Sequence, residues 1–157
     1  MAAPRVAIPA DDYTFRSYTA RFATDASRTV AGNGNVTWGG FWSGTRQSFS
    51  GGVSFRPNAH LNIDFDYSRN DVDLPTGAFV TYLSGARILY AFTPRVVLNS
   101  YFQYNADTDQ VSSNVRFNII HRPLSDLFLV YNDRRDTAAG GLIERALILK
   151  FTNLFNF

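Results

Sequence analysis

Two aspartates one residue apart, Asp64 and Asp66, come closest in this chain to a catalytic pair. Two carboxylates on one face of a strand can divide acid and base work between them. The alternation that places them together also offers Arg46, Arg87 and Arg116 from other strands, so a cross-strand charge ladder is the plainer expectation. His60 and His121 are the only histidines, and neither has a His or Cys neighbour with which to begin a metal site. With no cysteine, there is no disulfide, thiolate ligand or thiol nucleophile. Asp71 and Asp73, and likewise Asp107 and Asp109, supply the oxygen atoms that Ca²⁺ favours, but without the Gly and Glu of an EF-hand frame. Trp38 and Trp42 offer faces for stacking on a sugar ring, and they equally suit an interfacial aromatic belt. Gly32, Gly34, Gly39 and Gly40 precede no Lys-Ser/Thr pair, so they form no phosphate loop. No convergent titratable cluster is visible. The expectation is a non-enzymatic protein with no cofactor and no metal.

The elements that carry these residues follow from composition. The chain has 157 residues, enough for one domain. It is 45% hydrophobic and 15% aromatic, with 14 Phe and 8 Tyr. Charged residues make up 18%, against about 25% in soluble domains. Glu144 and Lys150 are the single Glu and the single Lys. Helix formers are therefore scarce and strand formers plentiful, which predicts an all-β protein. The net charge of +2 contains no Lys/Arg block, so a nucleic-acid partner is not expected. The longest purely apolar run, LFLVY at 127–131, falls far short of the about 20 residues of a membrane helix. A chain of this kind enters a membrane only as a barrel. MAAPRVAIPADD contains no long apolar core of a signal peptide, and residues 1–12 read as an unstructured segment before a β domain over 13–157.

Period two is clearest in HLNIDFDYSR, where Leu61, Ile63, Phe65 and Tyr67 oppose Asn62, Asp64, Asp66 and Ser68. The segment around 111–122 sets Val111, Val115, Phe117 and Ile119 against Ser112, Asn114, Arg116 and Asn118. The segment 45–56 sets Phe49, Val53 and Phe55 against Arg46, Ser48, Ser50 and Ser54. The last segment sets Ile143, Leu147, Leu149, Phe151, Phe155 and Phe157 against Glu144, Lys150, Thr152 and Asn156. Further strands are expected near 13–23, 28–38, 78–92, 95–105 and 126–132. These make nine strands in an antiparallel up-and-down meander. Most run about 10–13 residues, longer than the about 5–6 of globular strands and close to a tilted membrane-spanning strand.

The intervening segments read as alternately long and short. The longer ones are 39–45, 69–77, 105–110 and 133–141; the shorter are 24–27, 56–58, Thr93-Pro94 and 122–126. Outer-membrane barrels alternate in this way, with short periplasmic turns and longer external loops. Bacterial single-chain barrels have even strand numbers, so an odd count predicts further strands upstream, this chain being the C-terminal part of a larger barrel. Tyr67, Tyr104 and Tyr131 fall near the longer connections, and Phe55, Phe92, Phe128, Phe155 and Phe157 near the shorter ones, as two aromatic belts would.

The terminal KFTNLFNF resembles the assembly signal of outer-membrane proteins, with Lys150, Phe155 and Phe157 matching and Thr152 where Gly is usual. The resemblance implies recognition of the last strand by the barrel-insertion machinery. Over about residues 45–157 the chain also resembles the C-terminal region of the DUF5916 family. The shared residues are Gln103-Tyr104-Asn105, Asn114, Arg116, Arg122-Pro123, the run Ser125 to Asn132, and Lys150, with Leu124 in place of an expected Gly. Family members carry a family-9-type carbohydrate-binding domain, absent here, before a large predicted outer-membrane barrel. The resemblance implies an outer-membrane location, a lipid-facing exterior, and a polar lumen that includes Asp64, Asp66, Arg46, Arg87 and Arg116. No sugar function is carried over with the resemblance; a structural or transport role is expected, in which a complete barrel could pass or bind solutes such as glycans. The alternative reading is a soluble β-sandwich that binds carbohydrate through Trp38 and Trp42.

Overall fold

The computed structural model describes residues 12–122 and 124–153. Its nine strands are β1 (Ser17–Ala23), β2 (Val30–Phe41), β3 (Gly44–Phe55), β4 (Leu61–Leu74), β5 (Gly77–Thr93), β6 (Val96–Asn105), β7 (Gln110–Arg122), β8 (Ser125–Asp136) and β9 (Leu142–Thr152). They form one sheet in sequence order, each strand antiparallel to the next. The fold is therefore all-β and up-and-down, as the alternation predicts. Among the described residues no helix is long and apolar enough to cross a membrane, which leaves crossing by strands untouched. Residues 1–11 of the expected N-terminal segment, and Phe155 and Phe157, lie outside the described residues. The first strand begins at Ser17 rather than near residue 13.

Register gives the sheet its two faces. Val53 pairs with Phe65, Ile63 with Ile88, Leu98 with Phe117, Phe117 with Leu129, and Leu129 with Leu149. Directly opposed residues share a face. The apolar sides of separate strands thus merge into a single apolar face, while Ser54, Asp64, Asn99, Arg116 and Lys150 fall on the other.

Exposure is inverted relative to a soluble sheet. On β3, Phe49, Val53 and Phe55 are exposed while Ser48, Ser50 and Ser54 are half-buried. Phe65 is 49% exposed, and Leu147, Leu149 and Phe151 are 70%, 67% and 65% exposed. The buried hydrophobic residues, Ala31, Val72 and Leu74, all sit on the polar face. Over β2 to β4 the polar side is thus the more sheltered one, although Asp66 there is exposed, and Ser100 and Asp133 are buried on the apolar side of later strands.

The expected alternation of long and short connections holds in the C-terminal half, where Pro94 and Arg95 link β5 to β6 while residues 106–109 and 137–141 follow β6 and β8, and it fails in the N-terminal half. Only Trp42 and Ser43 link β2 to β3, and only Pro75 and Thr76 link β4 to β5. Residues 24–29 and 56–60, on the opposite rim, are longer. The reason is that polar residues first read as loop continue the ladder. Arg69 pairs with Tyr82, Asp71 with Val80, and Asp133 with Arg145. Polarity reports contact with water and does not report whether the backbone is paired. Asp71 and Asp73 consequently stand in β4 and not in a loop.

Two turns illustrate the local chemistry. The Asp25 carboxylate accepts the Ser27 N–H at 2.9 Å, which holds its pKa below the usual carboxylate value. That contribution is present above the ordinary carboxylate pKa and is lost as pH falls through the lowered one. Between β7 and β8, Leu124 takes φ 61°, the left-handed region, at the position where the family resemblance expects Gly. Ser125, beside it, is almost fully buried, and its hydroxyl donates to Asn153 Oδ1 at 3.1 Å.

A left-handed Leu costs roughly 1–2 kcal/mol, and Gly returns part of the relief as unfolded-state entropy. Leu124→Gly should therefore stabilise the fold by about 0.5–1 kcal/mol, read as a higher urea midpoint by tryptophan fluorescence in detergent. An unchanged or lower midpoint would refute the strain argument.

Candidate functional site

The polar face carries the side chains able to meet a solute. One cross-strand row runs Asn33, Gly52, Asp66, Gly85, Gln103, Ser112, Arg134 and Glu144. The adjacent row runs Ser54, Asp64, Arg87, Tyr101, Asn114 and Asn132. Two depressions lie along them. One, of about 290 Å³, is lined by Tyr101, Gln103, Ser112, Asn114, Asn132 and Glu144, among others. The second, of about 330 Å³, is lined by Asn33, Ser50, Ser54, Asp64, Asp66 and Ser68, among others.

The expected pairing of Asp64 and Asp66 with Arg46, Arg87 or Arg116 is not formed. Arg87 is directly across from Asp64, but its guanidinium lies over the Tyr101 ring, 5.5 Å from the centroid. Arg46 pairs with Val72, far along the strand from Asp64, and lies 4.6 Å over Phe41. Arg116 stands between Asn99 and Val130, several strands away. Asp64 instead accepts the Ser54 hydroxyl at 2.6 Å and the Asn62 amide at 3.0 Å, with Arg56 at 3.7 Å. Arg56 escaped sequence reasoning because it reads as part of the Arg-Pro-Asn turn. Only the β3–β4 register brings it beside Asp64.

Asp66 has no hydrogen-bond or ion-pair partner among the described residues. Glycine flanks it on both neighbouring strands, Gly52 and Gly85. A Cβ at Gly85 would meet Asp66 Oδ2 at 2.5 Å, so the carboxylate lies over the bare backbone of β5. Glycine here makes room for an unpaired charge on the polar face. Further along, Asn114 donates to Asn132 across β7 and β8. The lining is neutral amide and hydroxyl with scattered charge and one central ring, Tyr101. Such a surface hydrogen-bonds polar solutes. Among the described residues no group of His, Cys, Asp and Glu could hold a metal ion.

The other candidates separate in space. Trp38 is on the apolar face and stacks on Tyr18 at 6.1 Å. Trp42 is in the β2–β3 turn, edge-on to Tyr13 at 5.5 Å. They do not form one sugar platform. Lys150 is on the polar face opposite Phe128, so Phe128 leaves the belt that sequence assigned to it. Phe92 keeps its place, with ring contacts to Tyr90 at 4.6 Å and Phe117 at 6.2 Å. Tyr104 lies towards the opposite end, against Tyr82. Tyr67, against Phe49, stands at the middle of β4 and Tyr131 at the middle of β8, away from the strand ends that sequence assigned to them. His60 Nδ1 is 2.8 Å from the Ala91 carbonyl oxygen, a turn contact.

The two aspartates should respond differently to truncation. Asp64→Ala leaves the Ser54 hydroxyl and Asn62 amide without their acceptor and should cost about 1–2 kcal/mol of stability. Asp66→Ala should stay within about 0.5 kcal/mol of the parent. Urea titrations in detergent check both, and equal costs would contradict the hydrogen-bonding pattern. No family model, curated protein or solved structure matches the chain.

Proposed function

We propose that this chain is part of an outer-membrane β-barrel of the DUF5916 kind, with a structural or transport role in the bacterial outer membrane. Its apolar face meets acyl chains, and its polar face lines a lumen that holds or passes polar solutes such as glycans. The single observation that carries this reading is the inverted exposure. On one face the large apolar side chains of Phe49, Val53, Phe65, Phe102, Leu129, Leu149 and Phe151 are exposed, while on the other Ser48, Ser50, Ser54, Asp64, Asn114 and Asn132 are half-buried. Fully burying one such side chain is worth about 1.5–3 kcal/mol, and soluble monomers rarely leave contiguous apolar patches beyond a few hundred Å² in water. A lipid environment removes that penalty without a second protein layer.

Dimensions agree. A 12-residue strand such as β2 extends about 40 Å, or about 28 Å when tilted near 45°, close to the hydrocarbon thickness. The aromatic groups around Tyr82 and Tyr104 toward one rim, and Phe55, Tyr90, Phe92 and Phe117 toward the other, suit two interfacial belts. The outer strands support a larger assembly. β1 is exposed at every residue, and β9 at nearly every one. Upstream strands of a longer chain would pair these edges and close the barrel. In this reading Lys150, Phe155 and Phe157 present the last strand to the insertion machinery. Nothing favours the sandwich alternative. Among the described residues no second sheet covers the apolar face, and Trp38 and Trp42 stand apart.

The absence of cysteine makes a clean test available. Single cysteines at Phe65 and Leu149 should resist a water-soluble maleimide in vesicles, whereas cysteines at Ser50 and Asn114 should react. The reverse pattern would overturn the proposal. In cells, Phe157→Ala should lower the heat-modifiable, membrane-inserted fraction severalfold on unboiled gels. An unaltered fraction would remove the assembly-signal role.

A further inference from the structure

The apolar face ends abruptly near the rim of β8 and β9. On β8 it runs Leu127, Leu129, Tyr131, and then Asp133 and Arg135. On β9 it runs Phe151, Leu149, Leu147, and then Arg145. Asp133 and Arg145 are direct cross-strand partners on this face. The Asp133 carboxylate receives Arg135 Nε at 2.7 Å, Arg145 Nε at 2.9 Å and the Tyr131 hydroxyl at 3.0 Å.

Two guanidiniums therefore converge on one carboxylate, which leaves a net charge of +1. The carboxylate side chain is only 10% exposed, whereas Arg135 and Arg145 are 57% and 47% exposed. Both Nη groups of Arg145 remain unused by Asp133, which takes its Nε. The cross-strand neighbours on β7, Ser113 and Val111, add no carboxylate. Asp133 thus holds two partly exposed arginines side by side, with Arg135 giving it a second, longer contact through Nη2 at 3.5 Å. Arg145 is two residues beyond Leu147, about 7 Å further along the strand. In the proposed membrane setting this places the two arginines just beyond the apolar band of Leu147, Leu149 and Phe151.

We infer that Arg135 and Arg145, held together by Asp133, form an outward-facing site for the phosphate monoester of a membrane lipid. The inference rests on the membrane reading above and adds a ligand to its outer surface. Paired guanidiniums match phosphate geometry through several charge-assisted hydrogen bonds. The apolar residues on the same strands hold the acyl chains of the same molecule, which commits the site to a lipid rather than to a free anion.

The test uses the full chain folded into mixed micelles with equal phosphatidic acid and phosphatidylcholine, with retained lipid counted by native mass spectrometry. The parent should retain phosphatidic acid at least fivefold over phosphatidylcholine. The triple variant Asp133→Asn, Arg135→Gln, Arg145→Gln, which leaves no unpaired charge in the cluster, should lose that preference. Arg145→Gln alone, which leaves the neutral Asp133–Arg135 pair in place, should also lose the preference, whereas a purely structural cluster would show only lower stability. Equal retention by parent and triple variant would overturn the site. Displacement of the lipid by millimolar inorganic phosphate would overturn its assignment to a lipid. Failure of the parent to enter micelles or vesicles at all would instead sink the membrane reading, and this inference with it.

Discussion

Everything in this molecule depends on an unbroken antiparallel register across nine strands. Because side chains alternate with a period of two, a slip of one residue between any two strands would move one strand's Phe, Leu and Val onto the side of its neighbour's Asp and Asn. No such slip separates the two sets. The irregularities fall near strand ends, at Ala91/Thr93, Ile120/Arg122 and Arg134/Arg135. The central rows therefore stay coherent from β1 to β9, and two chemically distinct surfaces emerge from strands that individually show only a faint pattern.

The inverted exposure has a physical consequence for how the polar face is built. A sheltered polar surface must satisfy its own hydrogen-bonding groups. Asp64 is satisfied locally, by Ser54 and Asn62, and Asn114 by Asn132. Arg87 and Arg46 spread their charge over the rings of Tyr101 and Phe41 instead of pairing with acids. Asp66, over Gly85, is left without such a partner among the described residues. In the proposed lumen this mixture of satisfied amides and uncommitted charge suits contact with varied polar solutes more than the tight recognition of one.

Charge on the apolar face follows a different logic. It is confined to the rim, where Arg69 meets Asp71 at 3.2 Å, and Asp133 gathers Arg135 and Arg145. Below that rim the face is mainly aliphatic and aromatic, with Ser84, Ser100 and Ser113 among its residues. The same strands thus change character along their length as well as across it, and the change falls near the tyrosines at positions 67, 82, 104 and 131. In the proposed membrane setting, water on one side of that line and acyl chains on the other account for both patterns at once.

Sequence alone determined the class, the number of strands and the faces of the clearly alternating segments. Those properties depend on local periodicity and composition, which one strand expresses without its neighbours. The partners of Asp64 were not legible, because they depend on which residue of β3 lies opposite which residue of β4. The lengths of the connections were misread for a related reason: Arg69 to Leu74 and Asp133 to Asp136 are polar enough to resemble loops, yet their backbones are paired. The place of Phe128 opposite Lys150, the separation of Trp38 from Trp42, and the gathering of two arginines on Asp133 were likewise decided only by tertiary structure. Each is a contact between residues distant in the chain, and the geometry that brings them together belongs to the sheet as a whole.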